Sequence, residues 1–140
     1  SLQDHGMTFL IHTRSDVRLN YVREIVSNFP RLKIQVAHMG RAKPGDVAFM
    51  LDLLRGLAPY PQVSFDTSTI RQSQVLREAV GIVGPERILY GSDFPFFMDE
   101  KGTEDIMEQQ IRHVLDAKLT AEQEEMIFSR NFCRLITRGV

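Results

Sequence analysis

The chain has 140 residues, 43% hydrophobic and 25% charged, with a formal net charge of -1. That profile is one globular domain, 1–140, and excludes a disordered, collagen-like or disulfide-stapled chain. Lys and Arg number 17 against 18 Asp and Glu, and no stretch gathers aromatics with arginines, so nucleic acid is not an expected partner. No apolar run approaches the ~18 residues of a membrane span and no secretory leader opens the chain, so no membrane partner is expected and the cytoplasm is the expected compartment. The lone Cys133 fits a reducing setting and reads as a buried, inert thiol.

In chain order, a short apolar run ending in a polar residue, then a loop, then a helical pattern recurs four times. The first run, Met7-Thr8-Phe9-Leu10-Ile11-His12, is followed by Val17, Tyr21, Ile25 and Phe29 at helical spacing, closed by Pro30. The second, Lys33-Ile34-Gln35-Val36-Ala37-His38, precedes a stripe of Val47, Met50, Leu51, Leu54 and Leu57. After the third, Val63-Ser64-Phe65-Asp66, come Ile70, Val75, Leu76, Ala79, Val80 and Val83, closed by Gly84-Pro85. The fourth, Ile88-Leu89-Tyr90-Gly91-Ser92-Asp93, leads through a polar loop to two helical patterns. These run from Ile106 to Leu115 and from Met126 to Leu135, the second opened by a capping box at Thr120-Ala121-Glu122-Gln123.

His12, His38, Asp66 and Asp93 follow one another at intervals of 26, 28 and 27 residues. That period is too long for a hairpin meander and leaves room for a crossover helix, so the strands are expected to be parallel, near 7–12, 33–38, 62–66 and 87–91, each buried on both faces. The fold class is α/β, a (βα)4 unit with an extra C-terminal helix. An eight-stranded barrel takes ~250 residues, so an open four-stranded sheet and half of a (β/α)8 barrel both satisfy the pattern. The absence of a G-x-G-x-x-G or P-loop sequence weakens a nucleotide-binding reading.

In parallel α/β folds the side chains at the carboxyl ends of the strands converge on one rim. His12, His38 and Asp93 are expected there, with side-chain tips within about 10 Å of a shared centre. Alternation pairs His12 with Leu10 and Thr8 on one face, and His38 with Val36 and Ile34. Two imidazoles and a carboxylate suit zinc or another divalent first-row metal; each His taken singly is also compatible with a plain hydrogen-bonding residue at a strand end. Asp66 reads either as a turn and helix cap or as a rim carboxylate. His5 and His113 read as ordinary surface residues.

The runs Phe9-Leu10-Ile11-His12-Thr13, Phe29-Pro30-Arg31-Leu32-Lys33, Val36-Ala37-His38-Met39-Gly40 and Gly91-Ser92-Asp93-Phe94-Pro95-Phe96 together resemble the amidohydrolase superfamily. The similarity is to its amidohydrolase-related branch, which includes aminocarboxymuconate semialdehyde decarboxylase-like enzymes. Phe65-Asp66-Thr67-Ser68 and Asn131-Phe132-Cys133-Arg134-Leu135 fit the same pattern. The resemblance implies strands five to eight of a (β/α)8 TIM barrel. It implies His12 as a metal ligand, His38 as the catalytic acid or base, and Asp93 as a metal-associated carboxylate that also activates water. Arg14 is a candidate for binding a substrate carboxylate, beside the plainer reading of a surface ion pair.

The family's first-strand His-x-His or Glu-x-His metal motif is absent from these 140 residues. Three explanations stand: a fragment of a longer protein, assembly with a second half, or a degenerate relative. The leading expectation is a metal-dependent hydrolase or decarboxylase of a small carboxylated or cyclic substrate, incomplete in this chain, with zinc the expected divalent metal. The alternative is a non-catalytic half-barrel acting in self-association. Free strand edges and an apolar inner face formed by Leu10, Val36 and Leu89 lead to an expected homodimer.

Overall fold

The computed structural model describes residues 2, 4–12, 18–41, 46–95 and 106–137. Four strands, β1 (Thr8–Ile11), β2 (Lys33–Val36), β3 (Val63–Asp66) and β4 (Ile88–Leu89), lie in the order β1-β2-β3-β4, and every neighbouring pair is parallel. Between them run α1 (Arg18–Asn28), α2 (Val47–Leu57) and α3 (Ser73–Val83). After β4 come α4 (Ile106–Leu115), α5 (Ala121–Glu125), a π-helical segment (Met126–Arg130) and α6 (Asn131–Ile136). The chain is therefore α/β, with the expected period resolved into successive βα units. The stop before Pro30, the left-handed Gly84 (φ 84°) after α3 and the Thr120–Gln123 capping box all stand where the sequence puts them.

The register divides the strand residues into two faces. Ile11, Val36, Phe65 and Ile88 align across all four strands and are buried against the helices, as are Ile34 and Val63 one layer below. Val22, Val26, Met50, Leu54, Leu57, Leu76 and Ala79 close that core from the helix side. On the opposite face, Leu10, Gln35 and Ser64 align, with Thr8 and Lys33 below them and Asp66 and Leu89 above. Val36 thus belongs to the helix-side core, not to the inner face. That face is also not uniformly apolar: Leu10 is 58% exposed, Leu89 is buried, and Lys33, Gln35 and Ser64 between them are polar. The strands are not buried on both faces, because Lys-Ile-Gln-Val and Val-Ser-Phe-Asp alternate and send only every second residue into the core.

Two polar residues lock the sheet to the helices. Arg87 is buried and donates from Nε to the Val63 carbonyl (2.8 Å), from Nη1 to Ala58 (2.8 Å) and from Nη2 to Leu57 (2.9 Å), so it ties the end of α2 to the start of β3. Asn131 donates to the carbonyls of Pro85 (2.7 Å) and Ile88 (2.8 Å), while the Ile127 carbonyl of the π-helical segment accepts the Tyr90 N–H at 2.9 Å. Asn131 is therefore the residue that docks the C-terminal helices onto β4. Its neighbour Cys133 is exposed, contrary to the buried thiol expected, because the helix turns Asn131 and Leu135 inward and Cys133 outward. No helix among the described residues is long and apolar enough to cross a membrane.

Candidate active site at the strand ends

His12 follows β1 directly, exposed at the rim. His38 reaches the same place by a different route. Strand β2 ends at Val36, and the chain then makes a tight turn over Ala37–Gly40 in which His38 (φ 55°) and Met39 (φ 50°) are left-handed. Strand alternation therefore stops short of His38, and the expected shared face with Val36 and Ile34 does not extend to it. The turn sinks Met39 fully into the core and leaves His38 at the rim, half-buried. Gly40 (φ 75°) completes it, and a Cβ there would run into Leu53.

The two imidazoles meet edge to face, with centroids 4.6 Å apart, planes at 81° and Nε2 to Nε2 at 2.7 Å. The His38 backbone N–H donates to Asp66 Oδ1 at 3.0 Å, which holds the left-handed turn. Asp66 is buried at the end of β3 and collects further donors: the Ser68 N–H on Oδ1 (3.2 Å), the Ser68 hydroxyl on the same oxygen, and Gln35 Nε2 on Oδ2 (2.9 Å). Ser68 Oγ in turn lies 2.8 Å from His38 Nδ1. Asp66 makes the turn contact expected of it but is no helix cap, since α3 begins only at Ser73 behind Gln72. Sequence reasoning missed Ser68 and Gln35 as members of this network. The available signal for Ser68 was its place two residues beyond an aspartate at a strand end.

Thr67 extends the β3–β4 pairing past the end of the sheet. Its N–H donates to the Leu89 carbonyl (2.9 Å), and its hydroxyl accepts the Gly91 N–H (3.1 Å) while donating to the Gly91 carbonyl (3.3 Å). This fixes the start of the loop that carries Asp93, itself left-handed at φ 58° and half-buried. Asp93 acts electrostatically on Arg41: burial and the neighbouring Arg71 lower the Arg41 pKa, and the Asp93 carboxylate opposes them. Arg41 also donates to the Thr69 carbonyl at 3.0 Å. Arg14 lies outside the described residues.

Two imidazole nitrogens and the carboxylate of Asp93 are the right kind of donor for zinc. Their number and spacing fall short, because the described residues hold no group of three His, Cys, Asp or Glu side chains able to share one ion. A catalytic zinc takes three protein ligands.

The chain matches the amidohydrolase family model over residues 1–135. It belongs to the amidohydrolase family. No curated protein sequence matches this amidohydrolase. Among solved structures it is similar to an amidohydrolase from Burkholderia multivorans crystallised with bound zinc, at 18% identity and a TM-score of 0.78, covering 96% of this chain and 54% of that one. A Pseudomonas putida protein assigned as a 2-pyrone-4,6-dicarboxylic acid hydrolase gives 18% identity and a TM-score of 0.76, over 96% and 53%. The 5-carboxyvanillate decarboxylase of Sphingomonas paucimobilis gives 21% and 0.67, over 95% and 50%. At these identities the likeness is one of fold. This amidohydrolase chain spans about half the length of those structures and forms half of a TIM barrel.

Proposed function

We propose that this chain supplies one half of the active site of a metal-dependent amidohydrolase that hydrolyses or decarboxylates a small carboxylated or cyclic substrate. The observation that carries the reading is the pair of imidazole edges, His12 and His38, facing each other at 2.7 Å on the strand-end rim. His38, anchored through Asp66 and Ser68, is the acid or base. Its Nε2 is the atom that holds or takes up the proton. His12 and Asp93 are metal ligands, Asp93 also orients a water, and Arg14 meets a substrate carboxylate. Zinc, completed by donors from the other half of the barrel, would supply acidification of a bound water or polarisation of a substrate carbonyl. Self-association into a homodimer belongs to the same proposal: β1 is an edge of the described sheet, and Leu10 on it stands 58% exposed.

Zinc titrated calorimetrically into the chelator-treated chain tests the reading. Weak binding that disappears in His12→Ala is the expected result, since two or three donors hold zinc loosely. A folded protein that ignores zinc, or binds it equally well without His12, sinks the metal assignment and leaves the non-catalytic half-barrel.

A further inference from the structure

We infer that Ser68, oriented by Asp66, is a positioning residue that fixes His38 in its Nδ1–H tautomer and leaves the Nε2 lone pair facing the rim. The inference comes from counting protons in a buried chain of hydrogen bonds. The Asp66 oxygens meet the His38 N–H, the Ser68 N–H, the Ser68 hydroxyl and the Gln35 amide, all of them able to donate. An ionised carboxylate only accepts, so it satisfies all four at once. A serine hydroxyl has a single proton, and the Ser68 proton is committed to Asp66 Oδ1. What remains toward His38 is an oxygen lone pair. The 2.8 Å contact between Ser68 Oγ and His38 Nδ1 is then a hydrogen bond donated by Nδ1–H.

A neutral imidazole protonated at Nδ1 is bare at Nε2. That bare nitrogen faces His12 Nε2 at 2.7 Å, which makes His12 the donor across the pair when both rings are neutral. Burial keeps the arrangement in force: Asp66 and Ser68 are 6% and 5% exposed, so water does not compete for the Ser68 proton as it would at an open surface. The same Asp66 oxygen that takes the Ser68 proton also takes the His38 backbone N–H, so the tautomer and the left-handed turn that lifts the ring are set by one carboxylate. The outcome is a ring whose one ring-nitrogen lone pair points at the rim, where His12 meets it.

The tautomer is a property of this chain alone, while its use in acid or base chemistry rests on the functional reading above. Nitrogen-15 spectra of the two ring nitrogens, taken on the chelator-treated 140-residue chain at alkaline pH where imidazoles are neutral, read it without metal, substrate or activity. The expected spectrum shows His38 with a pyrrole-type Nδ1 and a pyridine-type Nε2. Ser68→Ala is expected to move His38 toward the Nε2–H form, Ser68→Thr to restore the original pattern, and His12→Ala to leave it in place. A wild-type His38 already protonated at Nε2 overturns the inference, as does a tautomer that ignores Ser68→Ala or changes with His12→Ala. The wild-type spectrum decides by itself if Ser68→Ala does not fold. The zinc titration and this spectrum fail independently.

Discussion

His113 shows how a residue read as surface acquires a physical signature from its surroundings. It sits half-buried on α4, and burial lowers its pKa from the ordinary 6.5, with Arg71 adding to the effect and Asp116 opposing it. The folded state therefore binds a proton at this site less readily than the unfolded chain. Wherever the unfolded state holds more protons, stability rises with pH, so this site lowers stability as pH falls through about 6.5 and below. We expect urea midpoints to drop between neutral and mildly acidic pH, and the part of that drop due to this site to vanish in His113→Gln. An unchanged pH slope in the variant would assign the acid sensitivity elsewhere. Asp66 carries the opposite lesson. Its type and position left turn and rim roles equally open, and only the convergence of Gln35, His38 and Ser68 from separate segments decided between them.

At the scale of elements, the glycines separate two kinds of position that look alike in sequence. Gly40 closes the turn after β2 with a positive φ and Leu53 packed where a Cβ would stand. Gly81 lies within α3 with open space around it. Alanine at position 40 is thus expected to destabilise by roughly 2 kcal/mol or more through strain and overpacking, and to disturb the His38 ring with it. Alanine at 81 is expected to stabilise by about 0.5–1 kcal/mol through helix propensity. Paired urea denaturations check both signs, and a neutral Gly40→Ala would mean that the turn is not rigidly required. The β2 turn is also where the sequence misleads most. The apolar-to-His38 run reads as one strand, yet Ala37 and Met39 are buried by leaving the strand conformation.

For the molecule as a whole, the described sheet is packed against helices on one side, while the other side carries mostly half-buried residues. The inner face carries Leu10 at one edge, but Lys33, Gln35 and Ser64 in the middle, so its association energy cannot be counted as a continuous apolar patch. Met107, Ile111 and Leu115 add an exposed apolar stripe on α4 at helical spacing. The proposed homodimer rests on these features together with the β1 edge of the described sheet; the β4 edge, expected to be open, is covered by the C-terminal helices through Asn131 and Ile127. Light scattering at micromolar concentration is expected to report a dimer, weakened by Leu10→Lys. A stable monomer across that range would show that the β1 edge and the stripe do not drive self-association.

Hydrophobic period and turn chemistry are local, and they determined the parallel (βα)4 order, the helix stops at Pro30 and Gly84 and the Thr120 cap. The face to which Val36 belongs, the exposure of Cys133 and the anchoring role of Asn131 depend on which surfaces pack together, and so only the tertiary structure settled them. The same holds for the site. Residues 12 and 38 are brought to 2.7 Å by the pairing of β1 with β2, and the ring of residue 38 is aimed by a carboxylate and a hydroxyl 28 and 30 positions away. Spacing along a chain encodes which strand end a residue occupies; the direction of its side chain is set by hydrogen bonds that exist only once the strands are side by side.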